Sequence, residues 1–178
     1  PIKGDGICNG ALDNASGSAG LVAPAEAHAK AGPAKRSLVF LSVTCEECGL
    51  PGSRYYASHP IYPLNHTAGG VNMDGLSVNG RARDFVVIGA GKSELEDMIK
   101  PIVAAEDRVI SPEPNPERGS YFRSDHFSFA KKGVPMLYAD GGFDLREGGS
   151  ERGEAMGEDY RANRYHAPGD EYSADWDM

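Results

Sequence analysis

The stretch SLVFLSVTCEECGLPGSRYYA, residues 37–57, decides the class of fold. Residues 37–43 form an unbroken apolar run rich in β-branched side chains, the pattern of a strand buried on both faces of a sheet. Residues 49–60 then read as a short helix and its exit. The same alternation continues outward. Strands are expected at 67–74, 84–90 and 134–140. Helices are expected from Asn14 or Ser16 to about Gly32, at 93–107, and at 124–133 up to Gly133. Pro24 predicts a kink or early stop in the first of these, and Pro101 a break in the second. Residues 1–12 read as a Gly-rich loop, and 141–178 as mostly irregular and charged. Strands alternating with helices give an α/β class with a mostly parallel central sheet flanked by helices. In such sheets ligand-binding groups gather beyond the carboxyl ends of the strands.

Composition narrows the function. A chain of 178 residues fits one domain, 1–178, with a core that needs no disulfide support. The formal net charge of −8 argues against nucleic acid and against anionic membranes as partners, since both need a basic face. No apolar run approaches the ~20 residues that span a bilayer. Three cysteines are too few for a disulfide scaffold. The chain opens on PIKGDGICNG without an initiator Met and is expected to be a fragment or a processed piece.

Within VTCEECGLPG, residues 43–52, two chemistries compete. Cys45 and Cys48 form a C-x-x-C, the spacing of a thiol redox site or of half a zinc knuckle. The two carboxylates between them would raise the thiol pKa and oppose the thiolate. A structural zinc site would need a second Cys/His pair, which the chain lacks. Glu46 and Glu47 offer the other chemistry, a metal ligand beside a general base. Their distant companions at expected strand ends or loops are Asp13, Asp74 and His166. Taken singly, each has a plainer role: Asp13 as a helix cap, Asp74 as a turn former before Gly75, His166 as a solvated loop residue. The glutamates alone would suit the start of a helix. Together, carboxylates and imidazole are suitable ligands for Zn²⁺, and a carboxylate bridging two ions permits a two-metal centre.

The wording around these residues is more specific. GDGICNGALDNASGSAG (4–20), VFLSVTCEECGLPGSRYYA (39–57), VNMDG (71–75), RSDHFSFAKKGVP (123–135) and NRYHAPGDEY (163–172) occur in one order along the chain. Together they resemble the catalytic domain of the co-catalytic zinc exopeptidases, the family of bacterial secreted aminopeptidases, aminopeptidase Y and plasma glutamate carboxypeptidase. The resemblance implies that Asp13 bridges two zinc ions, that Glu47 and His166 ligate the first and that Asp74 ligates the second. It implies that Glu46 is the general base, taking a proton from water and passing it to the leaving amine. Tyr121, Tyr138 and His126 are candidate donors to the oxyanion. Asp125, like His126, is expected to shape the site rather than bind metal. Asp170 is expected either to orient His166 or to stabilise its loop.

The resemblance also implies a peptide substrate with a free N-terminus and a secreted or periplasmic location. The chain departs from the family pattern in one respect. The family's second zinc is also held by a histidine in an H-x-D motif upstream of the Gly-rich segment 4–10. None of His28, His59 or His66 lies in such a motif. One zinc or none is therefore expected here in place of two, in a fold incomplete at both ends. A metal-binding relative without turnover is the main alternative, and a C-x-x-C redox protein a remote one.

Overall fold

The structure, a computed structural model, describes residue 7 and residues 9–177; residues 1–6 and 8 of the expected Gly-rich loop lie outside the described residues. Five helices and four strands follow one another. They are α1 (Gly17–Ala31), α2 (Pro51–Ser58), β1 (Gly70–Asn72), β2 (Asp84–Val87), α3 (Leu95–Ala105), β3 (Val109–Pro112), α4 (His126–Ala130), β4 (Met136–Asp140) and α5 (Gly149–Asn163). The strands form one open sheet in the order β1-β4-β2-β3. β1 runs parallel to β4, with Val71 opposite Leu137, and β2 parallel to β3, with Val86 opposite Ser111. β2 and β4 are antiparallel, with Val87 opposite Ala139. The sheet is thus mixed, with two of its three pairings parallel.

The core lies where the central strands meet the helices. Val86, Val87, Ile88, Leu137 and Val134 are buried there, with Val103 of α3. Each such side chain contributes roughly 1.5–3 kcal/mol relative to leaving it in water. Helix α4 packs on α2 and on β4, and Ser53 and Ser128 share a buried 2.9 Å hydrogen bond between the two helices. At the far end of β2, the buried Asp84 carboxylate accepts the backbone N–H groups of Phe143 (2.9 Å) and Asp144 (2.8 Å). This folds the chain after β4 back over the sheet. Gly142 makes the approach possible: its φ is +96°, and any Cβ there would overlap Asp84.

The structure corrects several expectations. Residues 37–43 form no strand, and Leu38, Val39 and Phe40 are 49%, 51% and 42% exposed. A strand needs a neighbour for its backbone groups, and among the described residues no strand pairs with this run. Pro24 and Pro101 do not end their helices. A proline removes one N–H donor, and at Pro101 the carbonyl deprived of it belongs to Asp97, an exposed residue whose backbone can turn to water. Residues 141–178, expected to be irregular, contain the 15-residue helix α5. Its polar sequence carries little amphipathic signal. It docks instead through Gly153, which lies against the Phe143 carbonyl so closely that a Cβ would clash. Strand β3 was likewise not foreseen.

Candidate active site

Four segments converge at one end of the sheet. The turn Ala11–Ser16 carries Asp13 in a non-helical conformation (φ −113°, ψ 91°), with a cis bond to Asn14. This turn is held from two sides. Asp170, 2% exposed, accepts the backbone N–H groups of Leu12 and Asp13, each at 3.0 Å, and its carbonyl accepts that of Ala11 at 3.1 Å. Asn14 Oδ1 accepts the N–H groups of Gly17 (2.9 Å) and Gly75 (3.1 Å), while its Nδ2 donates to the Met73 carbonyl (3.2 Å). The loop bearing Asp74 is thereby stitched to the turn bearing Asp13.

Glu46 and Glu47 sit in a single helical turn, Glu46–Cys48, entered through Cys45 in the left-handed region (φ 61°). The Glu46 carbonyl accepts the N–H groups of Gly49 (3.0 Å) and Leu50 (2.9 Å), and Thr44 that of Gly52 (3.2 Å). A Cβ on Gly52 would overlap the Thr44 backbone, so glycine is what lets α2 close onto the turn. A Cys45–Cys48 disulfide brackets the two glutamates.

Opposite this turn, His166 follows α5 with φ 55°, a backbone state that non-glycine residues adopt mainly at constrained sites. Its ring stacks on Tyr165 at 3.7 Å between centroids. His166 Nε2 lies 2.6 Å from Glu47 Oε1 and 3.3 Å from Asp13 Oδ2. It is buried, yet it has hydrogen-bond geometry to neither. One ligand atom from each of Asp13, Glu47 and His166 falls within 4.8 Å of the others. Converging donors around an unsatisfied imidazole nitrogen fit a cation, and carboxylate plus imidazole fit zinc.

The electrostatics agree with that fit. Burial, then the charges of Asp74 and Glu47, push Asp13 up to about 7. Burial, then Asp74, Glu47 and Asp125, push Glu46 up to about 8. Both carboxyls are crowded by like charge that a divalent cation would offset. Asp74 lines the same cavity, of about 650 Å³, but stands outside the three-residue cluster. It accepts Ser124 Oγ at 2.6 Å, and Asn72 Nδ2 donates to that hydroxyl at 2.8 Å.

The remaining candidates separate by position. Tyr138 lines the cavity, whereas Tyr121 and His126 do not. Burial, reinforced by Asp74, Asp140 and Glu46, pushes the Tyr138 phenol up, so it stays a donor. His126 is fully buried between the rings of Tyr121 (4.7 Å) and Tyr138 (4.6 Å). Burial lowers it to about 4, against a backbone contact from Tyr121. Burial raises Asp125, which a Ser53 hydrogen bond partly offsets. The Asp170 carboxylate acts on the Asp13 turn, not on the imidazole. Sequence reasoning missed Ser124, Tyr160 and Tyr165. Tyr160 donates to Asp170 at 3.2 Å from a helix that carried no visible pattern. Ser124 and Tyr165, which each adjoin a quoted motif residue, were the detectable ones.

Comparison with known proteins came out as follows. The model of peptidase family M28 matches residues 2–178. No curated protein sequence matches. The LapA aminopeptidase of Legionella pneumophila superposes with a TM-score of 0.63 at 18% identity, over 96% of this chain and 42% of that one. An aminopeptidase from Aneurinibacillus sp. strain AM-1 superposes with a TM-score of 0.59 at 22% identity, over 93% of this chain and 35% of that one. The chain therefore spans less than half the length of either structure, and the likeness is one of fold.

Proposed function

The chain belongs to peptidase family M28, and on that premise we propose that it carries the catalytic centre of a zinc-dependent exopeptidase that removes residues from peptide N-termini. One observation carries the reading. Asp13, Glu47 and His166 converge within 4.8 Å beside Glu46, in a cavity large enough for a peptide end. Asp13, Glu47 and His166 would hold one zinc, and Asp74 is the carboxylate available to a second. Zinc, when bound, supplies Lewis acidity towards a carbonyl oxygen and water.

The chain's own groups do the rest. Glu46 takes the proton of the attacking water and returns it to the departing amine. Tyr138, held protonated at the cavity wall, donates to the developing oxyanion. The acidic floor attracts the substrate's α-ammonium, which favours the N-terminal end of a peptide. We assign residues 1–178 to one domain and the protein to a location outside the cytoplasm, where a disulfide such as Cys45–Cys48 persists.

In the zinc-loaded full-length protein, Glu46→Gln should lower turnover of leucine-p-nitroanilide by about 10²–10⁴-fold with zinc content unchanged. Full activity in that variant would remove Glu46 as the base. Stoichiometric zinc without hydrolysis in the parent would favour the alternative, a metal-binding relative without turnover. That alternative draws on Asp74 lying outside the described three-ligand cluster.

A further inference from the structure

The same cavity also carries cationic side chains. Arg118, Arg123, Arg161 and Arg164 line it together with Asp13, Glu46, Glu47, Asp74 and further acids. Their availability differs. Arg164 is engaged, with Nη2 2.7 Å from Asp159 and its guanidinium over the Tyr160 ring. Arg161 is folded back along its own helix, with Nη1 3.3 Å from where a Cβ on Gly157 would stand. Arg118 ends the short turn Pro116–Arg118.

Arg123 adjoins Ser124, the residue that anchors Asp74. Among the described residues it makes no ion pair and no side-chain hydrogen bond, and it is exposed. Its backbone is nevertheless fixed. Its N–H donates to the Ser120 carbonyl at 3.1 Å, and the next residue, Ser124, is tied to Asp74 at 2.6 Å. A guanidinium without an ion pair, on a fixed backbone, lines the cavity of the metal-ligand cluster with its donors unused.

We propose that Arg123 is a specificity-determining residue that binds a carboxylate of the peptide substrate. A guanidinium offers a planar pair of donors that matches a carboxylate bidentately. With those acids and Arg123 lining one cavity, the site offers both charges that a zwitterionic short peptide needs: Asp13, Glu47 and Asp74 for its ammonium, Arg123 for its carboxylate. Two sources share that chemistry, the free C-terminus of a dipeptide and an acidic side chain next to the scissile bond. The inference rests on the exopeptidase reading, and the test separates the two.

The experiment uses the zinc-loaded full-length protein and three probes: Leu-Gly, its C-terminal amide, and Leu-Glu amide. In the parent, at least one carboxylate-bearing probe should exceed Leu-Gly amide in kcat/KM by about tenfold, mainly through KM. Leu-Gly tests the terminus and Leu-Glu amide the side chain. Arg123→Gln should bring that ratio near unity, and Arg123→Lys should restore part of it. A purely structural role for Arg123 would depress all three probes alike and leave the ratios intact. Calorimetric binding of the same probes gives a readout that needs no turnover. Carboxylate-dependent binding lost in Arg123→Gln, without hydrolysis, upholds the carboxylate site and sinks the peptidase reading. Hydrolysis or binding with equal ratios in parent and variant overturns the role of Arg123.

Discussion

Residues 37–43 and residues 44–52 adjoin in sequence and have opposite fates. The first is the most strand-like run in the chain, yet it lies exposed and unpaired. The second has no strong periodicity, yet it is fixed by its own hydrogen bonds, by the close approach of Gly52 to Thr44 and by a disulfide. A turn closes on partners within a few residues. A strand must borrow its partner from elsewhere in the chain, so its pattern states a preference that only a neighbour can fulfil. Glu46 and Glu47 lie in the half that closes on itself, and the Asp13 turn extends that logic through Asp170.

The contrast can be broken at graded cost. Asp170→Asn should have the largest effect. An amide nitrogen in place of Oδ2 of this buried carboxylate removes its bonds from the Asp13 N–H and from Tyr160, and at about 1.5–3 kcal/mol per charge-assisted bond the loss is about 3–6 kcal/mol, read by thermal unfolding. Zinc affinity should fall with it, because Asp13 loses its seat.

Acid should act next, at His126. Its folded-state pKa, about 4, lies below the ordinary 6.5. The fold therefore favours the neutral ring, and that stability is complete above pH 6.5. It declines as pH falls towards 4, by about 3 kcal/mol in all. His126→Phe, which fills the slot between Tyr121 and Tyr138 without a titrating group, should lose that part of the acid sensitivity. Denaturant titrations of both proteins across this range make the comparison, and identical slopes would refute it.

Gly52→Ala should cost about 1–3 kcal/mol, the cost of forcing a methyl group against the Thr44 backbone. Its signature would be a displaced Glu46–Glu47 turn, with turnover falling more than stability. Smallest of all should be Leu38→Ser and Phe40→Ser in the exposed run, each within about 0.5 kcal/mol. A loss of 2 kcal/mol or more in the full-length protein would show that another segment covers this run.

The members of the candidate site could be named from the sequence. Asp13, Glu46, Glu47, Asp74 and His166 sit in short motifs whose residue types state their chemistry, and all five line one cavity. The fold was legible wherever an element's pattern is local. α1, α2, α3 and α4, with β1, β2 and β4, lie within the expected segments. Helix α5 escaped notice because it docks through a glycine and a backbone carbonyl, contacts that leave no apolar stripe. Asp170 could orient an imidazole or brace a loop on its sequence alone. Its two 3.0 Å bonds to the Leu12 and Asp13 N–H groups assign it to the loop.

By itself the sequence determined the α/β class, the acidic character and a set of candidate residues for a metal site. These properties follow from side-chain chemistry and from periodicity within one element. Only the tertiary structure decided that Glu47, Asp13 and His166 meet while Asp74 stands outside their cluster, that Tyr138 and not His126 lines the cavity, and that Arg123 lines it too. Such relations join residues up to 153 positions apart, as Asp13 and His166 are. Their geometry is set by packing and hydrogen bonds between elements, which no local pattern encodes.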